Sequence, residues 1–215
     1  MKNSIASAAA LVVALTVSLP QAAHADSVSP PPVPDGLEIT DESTAFLVGH
    51  AIGTQNYICL PSGTGFAWTL FTPQATLFTD DGRQVITHFF SPNPDQEGAI
   101  RATWEDSRDT STVWAQLVPG GSSTDSKFVA DGAIAWLKLE VVGAVDAATG
   151  DLGRSRPGVL TGTTFVQRLN TSGGSAPATG CSLSTDVGKK AFVPYTADYF
   201  FYKHPGSESE DENGR

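Results

Sequence analysis

The chain is poor in the residues and patterns from which most catalytic sites are built. Of its 215 residues only two are cysteine and four are histidine, and one of the four, His24, falls within the first 25. There is no H-E-x-x-H and no Cys/His cluster at ligand spacing, so no metal site is expected. There is no G-x-S-x-G elbow to carry a hydrolase serine. No G-x-G-x-x-G follows a strand and opens a helix, and the βαβ alternation of a dinucleotide fold is missing, so no nucleotide cofactor is expected. Beyond the first 25 residues no segment holds an apolar period of 3.6 over three turns, which argues against a helical domain. Basic residues are also scarce, 13 against 23 acidic, for a net charge of −10. Such a surface repels nucleic acid and anionic lipid, so neither is expected as a partner.

What is present begins with an address. Lys2 precedes an apolar run from Ile5 to Leu19 that contains no acidic residue, and Ala23-His24-Ala25 offers the small-x-small pattern of a signal-peptidase site. The run is shorter than the roughly 20 residues a spanning helix needs. Residues 1–25 therefore read as a signal peptide, and the mature protein is expected to be secreted from Asp26 with no membrane span. The mature net charge moves from −10 to −11 with the loss of Lys2. The remaining residues suffice for one well-cored domain. Residues 26–36 read as a Pro-rich linker, 37–204 as the domain, and 205–215 as an acidic tail with nothing apolar to bury.

Cys59 and Cys181 are the only cysteines and stand 122 residues apart. In an oxidising compartment such a pair is most simply one disulfide, the alternative being two buried free thiols. From Leu37 onward the chain reads as strands and turns. Ala45–Leu60, Phe66–Phe71, Ala75–Phe78, Gln84–Phe90, Arg101–Trp104, Thr112–Val118, Ile134–Val142, Thr163–Leu169 and Phe192–Tyr202 are β-branched or aromatic runs bounded by turn residues. Gly49 and Gly53 suggest that the first is bent, Pro73 separates the second from the third, and Ala144–Gly150 is long enough for one helical turn. The expectation is all-β: a single antiparallel sandwich or barrel-like domain of about nine or ten strands.

Chemistry-bearing residues are dispersed. His50 and His88 lie in or near strands, and a metal- or carboxylate-assisted hydrolase would require both to meet an acid such as Glu105 from the Glu105–Asp109 segment. The densest aromatic stretch is Tyr195–Tyr202. Alternation there puts Tyr195, Ala197, Tyr199 and Phe201 on one face and Thr196, Asp198, Phe200 and Tyr202 on the other. Arg168 is a candidate partner for Asp198. Asn170-Thr171-Ser172 matches a glycosylation sequon.

Several segments, taken in order, carry a resemblance. They are GTQNYIC (Gly53–Cys59), PQATLF (Pro73–Phe78), the Gly82 to His88 stretch, AIAWL (Ala133–Leu137), TFVQRLNTSGGSAP (Thr164–Pro177) with Cys181, and PYTADYFFY (Pro194–Tyr202). Together they resemble a secreted bacterial and fungal family, the domain of unknown function 3455, from about Leu37 to Tyr202. The resemblance implies an exported β-rich domain with the same two cysteines, which favours the Cys59–Cys181 disulfide. It implies no activity. The chain departs from the family after His88, where Phe89-Phe90-Ser91-Pro92 replaces a glycine-bearing H-x-x-G-P-x-W pattern, and at Ile134-Ala135-Trp136, where the family has I-P-W. The resulting expectation is a noncatalytic binding or surface-associated protein for a small molecule or glycan. Its ligand-binding candidates are His50, Gln55, His88, Gln167, Arg168, Asn170 and Tyr195. The alternatives are the hydrolase above and a structural envelope or spore component.

Overall fold

A computed structural model describes residues 28–147 and 157–205. The segment read as a signal peptide with its expected cleavage site, and all but the first residue of the expected acidic tail, lie outside the described residues. These form eight strands: β1 (Thr44–Ser62), β2 (Gly65–Phe78), β3 (Gln84–Asn93), β4 (Ala99–Asp106), β5 (Thr112–Ser123), β6 (Trp136–Val145), β7 (Thr163–Gly173) and β8 (Lys190–Lys203). Each pairs antiparallel with the next, and β8 returns to β1 to close a barrel. Among the described residues no helix is long and apolar enough to cross a membrane.

The ninth expected strand disappears at Pro73. Proline cannot donate to a ladder and so is tolerated where a strand has a free side. β2 has such a side, because its pairing with β3 spans only Ala75–Phe78, so Pro73 stays within one continuous strand paired to β1. Ala144 and Val145 extend β6 rather than starting a helix, and residues 148–150 lie outside the described set.

Closure turns one residue parity inward. Ala51, Ala75, Leu77, Ile86, Trp104, Val113, Ala115, Leu139, Tyr199 and Phe201 form the main core. An eight-stranded barrel is just wide enough for side chains to fill it or to hold one small ligand. Small groups on β1 and β2 offset large ones opposite. At Gly53 an added Cβ would lie 2.2 Å from the Gln74 carbonyl oxygen, so β1 and β2 cross too closely for any side chain there. Gly53→Ala is expected to lower stability by about 1–3 kcal/mol through overpacking. The midpoint of urea unfolding reads this, and an unshifted midpoint would mean that the two strands separate at no cost.

A second core lies outside the barrel wall. Leu37, Val129, Trp136, Leu169, Phe200 and Tyr202 pack together, with Val28, Val33 and Ile39 against them. Residues 28–39 therefore form a strap over β7 and β8 rather than a free linker. Gln167 fixes the strap by donating from Nε2 to the Leu37 carbonyl (2.5 Å) while accepting from the Tyr202 hydroxyl. This explains the unbroken apolar character of Tyr199–Tyr202: both faces of β8 are covered there.

Candidate functional site

The two ends of the barrel differ. At one end, the turns at Thr79–Gly82 and near residues 107–111 and the described part of the β6–β7 connection, which supplies Leu160, sit over a packed interior of Leu77, Ile86 and Val113. The other end carries the connections 63–64, 94–98, 124–135 and 174–189. There the interior opens into a cavity of about 600 Å³.

The walls of the cavity come from all eight strands. Leu70, Phe90, Ala102, Ala115, Leu137 and Leu139 make it largely apolar, and Thr124, Ile134, Ser175 and Ala176 enter from the two long loops. Leu70, Ile100 and Leu117 continue the apolar surface outward, each more than a third exposed although each lines the cavity. Trp104 and Tyr199 lie at its inner limit. Behind them His88 stacks on Trp104, with ring centroids 4.4 Å apart and planes 10° from parallel, and Tyr195 meets the Tyr199 hydroxyl at 3.2 Å.

Polar groups in this wall are few, and some are unsatisfied. Gln55 is 2% exposed and its Oε1 has no hydrogen-bond partner; Trp104 is 1% exposed and its Nε1–H has none. Buried polar atoms are normally paired, since leaving one unmade costs about 1–3 kcal/mol. Tyr57 is satisfied, donating to the Gly174 carbonyl at 2.6 Å. Arg168 stands opposite Leu137 and Tyr199 in the ladder, at an inward position. Its Nε–H and Nη2–H both donate to the Ala135 carbonyl, at 3.1 and 2.8 Å. Burial pushes the Tyr195 and Tyr199 phenols above their ordinary range, while the Arg168 charge pulls the other way. Burial also takes the His88 imidazole down to about 3, so it is neutral; its Nδ1–H donates to the Thr103 carbonyl at 2.8 Å. His88 also borders a second cleft of about 380 Å³, where β2 and β3 part.

The seven candidates from the sequence divide into three places. Gln55 and Arg168 line the cavity, and His88 and Tyr195 support its inner aromatic groups. Gln167 belongs to the strap. His50 and Asn170 face outward together: His50 bonds Asp198 through Nδ1 (2.7 Å) and Asp80 through Nε2 (2.9 Å), and Asn170 Nδ2 donates to the other oxygen of Asp198 (2.7 Å). Burial alone would lower the His50 pKa, but the two carboxylates outweigh it and raise it.

Two sequence expectations are corrected by register. Asp198 opposes Leu169 and His50 on the outer surface, whereas Arg168 opposes Tyr199 inside, so Asp198 and Arg168 are not partners. His88 shares the inner face with Ala75, Gly53 and Tyr195, while His50 is one residue out of phase on the outer face. The barrel wall separates the two histidines, so they cannot ligate one metal. Glu105 neighbours the inward Trp104 and also points away from His88. In the same segment Asp106 and Asp109 are structural. Asp106 binds Arg108 at 2.8 Å, and Asp109 accepts from Ser111 and Val159. Among the described residues no group of three His, Cys, Asp or Glu is arranged to hold a metal ion.

The sequence reading missed most of the cavity. Tyr57, Leu70, Ile100, Leu117 and Ala176 are single residues on separate elements, with no local pattern to mark them. Trp104 stood in the sequence reading as the end of the Arg101–Trp104 run.

The two cysteines are bonded, with Cα atoms 5.5 Å apart. The bond ties the 174–189 connection to β1, and the Cys59 amide and carbonyl pair with Lys189 and Gly188. Asp186 braces the same connection by accepting from the Ser182 and Leu183 amides and from Lys189, which hold its carboxyl down at about 2. The loop bearing Ser175 and Ala176 is thereby fixed at the cavity.

No curated protein and no solved structure matches the chain. One family model does match, described as "Protein of unknown function (DUF3455)", over residues 40–203. The chain belongs to that family, the one its motifs resemble.

Proposed function

We propose that this member of the DUF3455 family is a noncatalytic binding protein that takes one small, largely apolar molecule into the open end of its barrel. The observation carrying this reading is the 600 Å³ cavity whose apolar wall includes the unpartnered Gln55 Oε1 and Trp104 Nε1. Ligand sites typically occupy about 300–1,000 Å³ and combine apolar walls with a few fixed polar groups. A glycan, whose many hydroxyls require matching polar partners, suits this wall less well. A purely structural role gives no reason for an unfilled barrel end, and the separation of His50 from His88 leaves the hydrolase without its assumed centre.

The protein acts, in this reading, outside the cell. The leader pattern of residues 1–25 supports export, and a disulfide is at home in an oxidising compartment. Intact mass of the protein secreted by its host is expected to begin at Asp26.

The uncharged fluorophore N-phenyl-1-naphthylamine tests the site. It is expected to bind with one-to-one stoichiometry and enhanced emission. Ala102→Trp, which places an indole in the cavity, is expected to weaken binding at least tenfold while leaving the far-ultraviolet circular dichroism unchanged. Absence of saturable binding to the wild-type protein would overturn the reading.

A further inference from the structure

The charge inside the barrel runs against the charge of the chain. Acidic residues outnumber basic ones 23 to 13, yet among the described residues no Asp or Glu lines the cavity, while two arginines, Arg101 and Arg168, do. Away from the cavity, the described arginines are neutralised locally: Arg83 pairs with Asp81 and Arg108 with Asp106. Arg168 has no carboxylate partner among the described residues. Its hydrogen bonds to the Ala135 carbonyl orient the guanidinium without compensating its charge. The charge acts on Tyr57, His88, Tyr195 and Tyr199, which are neutral rings and supply no counter-charge. A cation facing a low-dielectric interior with no anion is unfavourable unless something else supplies the anion.

From this uncompensated arginine in an apolar cavity we propose that the ligand is a monoanionic amphiphile, its acid group at Arg168 and its apolar body directed toward the exposed Leu70, Ile100 and Leu117 rim. The proposal rests on the cavity-binding reading above and names the class of its ligand. A planar guanidinium suits a carboxylate or sulfonate, whose two oxygens match its fork of donors. The unpartnered Trp104 Nε1–H is a further donor in the same wall. The rim explains how one molecule satisfies both demands, since Leu70, Ile100 and Leu117 line the cavity and are also exposed to the outside. The acidic exterior then adds selectivity, because an anion is favoured at the cavity and repelled elsewhere.

Two probes with one skeleton separate the inference from the reading beneath it. N-phenyl-1-naphthylamine is uncharged, and 1-anilinonaphthalene-8-sulfonate is the same framework with one sulfonate. The sulfonate probe is expected to bind about tenfold or more tightly, the range of a charge-assisted hydrogen bond. Arg168→Gln is expected to remove that preference, read as the ratio of the two probes' dissociation constants, and Arg168→Lys to restore much of it. In the wild-type protein decanoate is expected to displace the uncharged probe at least tenfold more effectively than decanol, a comparison that holds even if the variants do not fold. Equal affinity for the paired compounds, or a preference that survives Arg168→Gln, overturns the anionic assignment and leaves the cavity reading standing. Failure of every probe to bind overturns both.

Discussion

Replacing Cys59 and Cys181 together by serine is expected to remove about 4–5 kcal/mol of stability, the chain-entropy value for closing a loop of this length. The bond joins residues 122 apart, so it restricts most of the unfolded domain. Urea unfolding of oxidised wild type against the double variant measures the difference. A second consequence is local. Without the bond, the 174–189 connection remains on β1 through the Cys59 backbone and the contacts of Asp186 and Lys189. Ser175 and Ala176 then lose their covalent anchor at the cavity, and affinity for the uncharged naphthylamine is expected to fall in protein that is still folded. A loss of less than about 1 kcal/mol would show that strain or residual unfolded-state structure cancels the loop term.

The second large effect is acid lability centred on His88. Its folded pKa is about 3 against 6.5 when unfolded, because burial opposes the charged form. Between those values the unfolded chain binds a proton that the folded chain refuses. Stability is therefore full above pH 6.5 and falls by up to about 1.4 kcal/mol per pH unit below it. About 3 kcal/mol is expected to be lost between pH 7 and 4, read as a falling urea midpoint. Asp109 and Asp186 have lowered pKa values, so their contributions disappear only as pH drops below the usual carboxylate range. His50 acts in the opposite sense: its raised pKa gives stability that is present below pH 6.5 and is lost as pH rises through its folded value. At 39% side-chain exposure its share is small. His88→Phe keeps a ring against Trp104 and is expected to flatten the slope from pH 7 to 4.5, even if absolute stability drops. An unchanged slope in that variant would place the acid sensitivity elsewhere.

Much of the barrel was legible because strands announce themselves locally. Alternation in Tyr195–Phe201, the turn residues at Thr79–Gly82 and the bend glycines of β1 each reflect interactions between residues close in sequence. The count went wrong only at Pro73, where what mattered was whether β3 still lay beside β2, a fact no local pattern carries. The site was far less legible. Of the seven candidates, only Gln55 and Arg168 line the cavity, because a polar side chain in a strand announces its type but not its face.

Sequence alone determined the β class, the family motifs, the even cysteine pair and the acidic balance, all of which follow from composition and near-neighbour spacing. Tertiary structure decided the rest. Closure of β8 onto β1 selected which parity faces inward, and a one-residue difference in phase puts His50 outside and His88 inside. The same register turned Asp198 away from Arg168 and left the half-buried guanidinium at the cavity wall with no carboxylate partner among the described residues. That placement exists only once eight strands have closed, because no local pattern decides which residues a strand side chain will face.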